Sequence, residues 1–100
     1  MDDFLLATLG QVRRCPARAD YLELRFSTDE GEWDWCFPEP PAARRRPLRP
    51  LALRLGTYGV QAHLVRDGTL GTAVPTAAAV PTILAGAPVY VDRRLLRSRV

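Results

Sequence analysis

Leu51-Ala52-Leu53-Arg54-Leu55-Gly56 is the stretch that decides the fold. Pro50 before it suits the first position of a helix, and Gly56 behind it suits a helix end. Yet Leu51, Leu53 and Leu55 alternate with Ala52 and Arg54, as the two faces of a half-buried strand do. A helix here favours a βαβ-type organisation. A strand makes Leu51–Val65 a hairpin and the whole protein α+β, a mainly antiparallel sheet with flanking helices.

Downstream of this stretch, Tyr58–Val65 reads as a strand rich in apolar positions, and Arg66-Asp67-Gly68 turns out of it. Thr69–Val74 either pairs back as a hairpin or begins a loop. Val80–Gly86 reads as a helix, with Pro81 in its first turn and Gly86 as its stop. Pro88–Val91 reads as a buried strand, and Asp92 is placed to cap a last helix, Arg93–Val100.

Upstream lies the clearest local pattern. In Tyr21–Ser27, Leu22, Leu24 and Phe26 face one way while Glu23 and Arg25 face the other. Thr28-Asp29-Glu30-Gly31 is a turn, and Glu32–Phe37 alternates again with Trp33, Trp35 and Phe37 on one face. This is a β-hairpin. Before it, Asp2 or Asp3 can cap a short helix carrying Phe4, Leu5, Leu6, Leu9 and Val12, stopped by Pro16. After it, residues 38–50 are a proline-punctuated basic connector within one domain, 1–100.

All fourteen basic residues are Arg, and the formal net charge is +3. The charge is unevenly placed. Residues 1–40 hold nine acids and four Arg, net −5; residues 41–100 hold ten Arg and two acids, net +8. Such asymmetry is resolved by internal matching, by head-to-tail contact or by binding a polyanion. A domain this small buries a thin core, so association into a homo-oligomer or with a protein partner is expected.

Cys15 and Cys36 form no CxxC and lie near no His cluster in sequence, so no metal site is expected. No cofactor motif is present in the chain. Met1-Asp2-Asp3 is acidic where a secretory leader needs basic charge, and the uncharged run Thr69–Val91 is broken by Pro75, Pro81 and Pro88. The expectation is a cytoplasmic protein with reduced thiols and no membrane association.

The order strand, Asp-Gly, helix, Gly, strand, capped helix resembles the DsrE-like sulfur-relay family of DsrE/DsrF/DsrH and TusBCD-type subunits. The matching pieces are Leu51–Gly59, Val60–Gly68, Ile83–Gly86, Val89–Asp92 and Leu96-Arg97-Ser98-Arg99-Val100, about the last half of the chain. The resemblance implies an α/β fold, a small flavodoxin-like sheet to which the N-terminal β-hairpin is added. It implies parallel strands at Val60–Val65 and Val89–Val91. Counting from Gly86 puts Asp92 at the position of the family's persulfide-carrying Cys, and a carboxylate cannot carry a persulfide. The resemblance therefore implies a non-catalytic interaction or assembly subunit.

Other residues support other readings. Arg44, Arg45 and Arg46 in the connector, and Arg93, Arg94 and Arg97 after Asp92, are candidate phosphate or partner contacts. With Trp33 and Trp35 they support a second reading, an Arg-rich nucleic-acid-binding module. Cys15, near Arg13, Arg14 and Arg18, is the best candidate for a reactive thiol and carries a third reading, a thiol enzyme. His63, mid-strand between Ala62 and Leu64, and Cys36, beside two Trp, read as structural.

Overall fold

The computed structural model describes residues 1–40 and 48–96. Among the described residues, seven strands form one mixed sheet: β1 (Phe4–Arg14), β2 (Tyr21–Thr28), β3 (Gly31–Pro38), β4 (Leu51–Gly56), β5 (Gly59–Arg66), β6 (Thr69–Val74) and β7 (Val89–Asp92). An α-helix, α1 (Thr76–Leu84), joins β6 to β7, and a 3-10 turn at Arg93–Leu95 follows. The strand order is β3-β2-β1-β7-β4-β5-β6.

The sheet is two antiparallel meanders stitched by a late strand. β1–β2–β3 and β4–β5–β6 each pair with sequence neighbours. β7 enters between them, antiparallel to β1 and parallel to β4. Since β6 runs in the same sense as β4, the path β6–α1–β7 is a parallel crossover that passes over β5 and β4, which is why it needs a helix.

The flavodoxin-like α/β expectation is therefore overturned. Val60–Val65 and Val89–Val91 are not parallel: β4 lies between them, antiparallel to the first and parallel to the second. Leu51–Gly56 is a strand, not the helix that a βαβ organisation needs, so Leu51–Val65 is the hairpin of the mainly antiparallel alternative. Phe4–Arg14 is a strand too, where a helix was expected. Its helical spacing is incidental: Leu5, Ala7 and Leu9 turn to the core face, while Phe4 and Leu6 lie opposite Asp92 and Tyr90 on the other face. The helix after β6 starts at Thr76, before the expected Val80, and holds Pro81 in its interior. The final helix is only the 3-10 turn, because Leu96 is already extended and packs with Leu95 against the core; residues 97–100 lie outside the described residues.

The expected hairpin is present, with Leu24 opposite Trp35 and Phe26 opposite Trp33. In the β5–β6 turn, Asp67 and Gly68 both have positive φ, 50° and 73°. A two-residue hairpin loop of type I′ needs that geometry at both positions, and Asp-Gly supplies it at low cost.

The core lies on one face. Leu51 and Leu53 of β4 sit beside Val89 and Val91 of β7 and Ala62 of β5, and α1 lays Ala79 and Ile83 onto them. On the β2–β3 side, Leu24 and Phe26 are fully buried; Phe26, Trp33 and Trp35 stack at 5.6 and 5.5 Å between centroids, and Phe37 meets Trp35 edge-on at 5.2 Å. Among the described residues, no helix is long and apolar enough to cross a membrane.

Candidate functional site

A bulge in β1 prepares the first site. Leu9 pairs with Phe26, and the next partners are Val12 and Leu24, so Gly10 and Gln11 together oppose Arg25. One extra residue reverses the facing of everything after it. Leu9 and Val12 both take the facing of the core residues opposite them, and Arg13 comes to the outer face opposite Glu23. Glu23 in turn lies opposite Cys36 on β3. The turn after β1 then brings Cys15 over this row.

The result is a thiol pair. The Cys36 thiol donates to Cys15 Sγ at 3.3 Å, across 21 positions of sequence. Cys15 is 8% exposed and Cys36 is open to solvent; both are free thiols. Glu23 uses both carboxylate oxygens here: Oε1 accepts from Arg13 Nε at 2.7 Å and Oε2 stands 3.8 Å from Cys36 Sγ. The hydrogen bond from Cys36, with backbone N–H groups of Ala17 and Arg18, holds the Cys15 thiol below its ordinary range against burial and the Glu23 charge. Cys36 moves the opposite way, pushed up to about 11 by the contact with Cys15, by burial and by Glu23. The contact therefore favours ionisation at Cys15 over Cys36.

The second feature is the pair of sheet edges. β3 is guarded. Arg25 Nε and Nη2 reach Asp34 at 2.9 and 3.2 Å, Glu32 stands at 3.9 Å, and Pro38 closes the strand. Charge and proline at an edge discourage a further strand. β6, Thr69-Leu70-Gly71-Thr72-Ala73-Val74, carries neither, and four of its six residues are exposed.

Asp92 proves to be a latch. Only 1% exposed, it accepts from Leu55 N–H at 3.1 Å, from Arg94 N–H at 3.0 Å and from the Arg94 guanidinium at 2.8 Å. Burial alone would raise its pKa, but the Arg94 side chain, the two backbone N–H groups and the Arg94 charge outweigh it, so the carboxyl lies below its usual range. Its predicted capping role holds, on a 3-10 turn in place of an α-helix. Arg94 also donates to Leu55 O, which clamps this turn onto β4.

The remaining predicted residues divide. Arg93 pairs with Glu30 at 2.8 Å and donates to Asp2 O, one ion pair that joins the basic and acidic halves. Arg44, Arg45, Arg46 and Arg97 lie outside the described residues. Trp33 is part of the core stack. His63 Nδ1 lies 3.2 Å from Gly71 O, a bond that ties β5 to the β6 edge. Among the described residues, no group of His, Cys, Asp and Glu has metal-binding geometry.

Comparison with family models, with curated proteins and with solved structures finds no match. The functional reading therefore rests on the geometry.

Sequence reading singled out Cys15 but read Cys36 as packing. The signal that joins them is the strand register, Arg13–Glu23–Cys36, which is invisible while Phe4–Val12 is read as a helix.

Proposed function

We propose that this chain is a non-catalytic assembly module whose sheet is continued by a second copy, β6 against β6 about a two-fold axis. The observation that carries this reading is the contrast between the two edges: β3 is defended by Arg25, Glu32, Asp34 and Pro38, and β6 by nothing of the kind. An undefended edge strand offers a row of backbone donors and acceptors to another strand. Two-fold pairing satisfies that row on both copies at once and leaves no edge open to further addition there.

Electrostatics permits the contact. The β6 hairpin carries Arg66 and Asp67, of opposite sign, while Arg49 and Arg54 belong to the region of β4, two strands away. Strands are spaced by about 4.8 Å, so those charges sit about one screening length back at physiological salt.

Sedimentation velocity across a concentration series tests the reading. The unmodified chain is expected to form a dimer, and a Leu70→Lys/Thr72→Lys variant is expected to dissociate at least about a hundredfold more readily, since like charges would meet across the axis. A chain that stays monomeric at high concentration, or a variant as dimeric as its parent, overturns it. Far-UV circular dichroism checks that the variant keeps its sheet.

A further inference from the structure

We propose that Cys15 and Cys36 form a peroxide-reactive dithiol site that closes to an intramolecular disulfide. Two strands and a turn converge to set Sγ against Sγ at 3.3 Å, and a disulfide bond measures about 2.05 Å. Closure thus needs the sulfurs to approach by roughly 1.3 Å. Residues 16–20 of the turn that carries Cys15 are all exposed, so an approach of this size displaces no buried side chain of that turn.

The two sulfurs have different roles. Cys15 is the attacking group, since the Cys36 hydrogen bond and the Ala17 and Arg18 amides stabilise its thiolate. Its slight exposure selects a small oxidant, hydrogen peroxide or a short alkyl hydroperoxide, over a bulky disulfide. Cys36 is the resolving group, and Glu23 Oε2, 3.8 Å away, stands beside it to receive its proton. A low-pKa thiol next to a resolving thiol is the usual plan of a redox-sensing pair.

The steps balance. The Cys15 thiolate attacks one peroxide oxygen, forming an S–O bond and breaking the O–O bond. The departing hydroxide takes up the proton that Cys15 had released, giving water and a sulfenic acid. Cys36 sulfur, passing its proton to Glu23, then attacks Cys15 sulfur; the S–O bond breaks, and the hydroxyl leaves as water on taking that proton from Glu23. Two thiols lose two electrons, and one hydrogen peroxide becomes two waters.

This inference stands apart from the β6 edge, which lies at the far side of the sheet from β3. The test uses the full chain with hydrogen peroxide, followed by alkylation of free thiols and intact mass. The expected product has lost two hydrogens and both alkylatable thiols, runs as an uncrosslinked chain without reductant, and is restored by dithiothreitol. In Cys36→Ser, Cys15 is expected to stop at sulfenic acid and to be trapped by a dimedone-type reagent. In Cys15→Ser, peroxide consumption is expected to fall by about tenfold or more, because the stabilised thiolate is gone. Retention of both thiols, a disulfide formed only between chains, or equal peroxide consumption by Cys15→Ser would each overturn the proposal.

Discussion

Replacing Phe26 by Ala is expected to lower the unfolding free energy by about 3–5 kcal/mol. Phe26 has no exposed surface and stacks on Trp33 at a 5.6 Å centroid distance. It is the inner end of the row Phe26–Trp33–Trp35–Phe37. Its removal takes away the transfer free energy of an aromatic ring and leaves a void that rigid indole neighbours cannot fill. A domain of this length has a total stability on the order of 5–15 kcal/mol, so the variant should sit near the limit of folding. Urea unfolding monitored by tryptophan fluorescence measures the effect. Phe26→Leu, which keeps most of the volume, should lose much less; equal losses for the two would show that the void is not the cause of the loss.

Asp92→Ala is expected to cost about 3 kcal/mol, through a different mechanism. The carboxylate satisfies the Leu55 and Arg94 backbone N–H groups and holds the Arg94 side chain over β4. Alanine strips those partners and frees the turn that carries Leu95 and Leu96. Asp92→Asn keeps one acceptor oxygen and should recover part of the loss. The same residue sets an acid limit. Its folded pKa lies below the ordinary carboxyl value, so the group contributes stability that is fully present above the unfolded pKa of about 4. That stability is lost as pH falls through the folded value. Urea midpoints measured from pH 7 down to pH 3 should therefore fall more steeply for the parent than for Asp92→Asn.

The parts of this fold that were legible in the sequence are the local ones. The β2–β3 hairpin announces itself through period-two alternation on both strands, and the β5 turn through Asp67-Gly68. The Leu51–Gly56 ambiguity came from Pro50 and Gly56, whose helix-bounding habits are equally compatible with a strand between two turns. Phe4–Arg14 was misread for a deeper reason. β1 has apolar residues on both faces and a bulge at Gly10–Gln11, so its alternation is broken twice. The position of β7 could not be read at all, because nothing in Val89–Asp92 names β1 and β4 as its neighbours. Losing β1 as a strand also hid the thiol pair, whose geometry depends on the register across β1, β2 and β3. Asp92 was seen as a cap, but its bond to Leu55, 37 positions away, requires the tertiary fold.

The central place of β7 also bears on how the chain reaches this state during synthesis. Both meanders can form as they emerge from the ribosome, since their pairings are between sequence neighbours. Until residues 89–92 arrive, however, β1 and β4 each present a bare inner edge, in addition to the two outer edges of the finished sheet. Pairings of long sequence separation form slowly, and unpaired strands in an incomplete sheet invite the wrong neighbours. The nascent protein is therefore most exposed to aggregation in the interval between β4 and β7, an interval set by the length of the β5–β6–α1 segment.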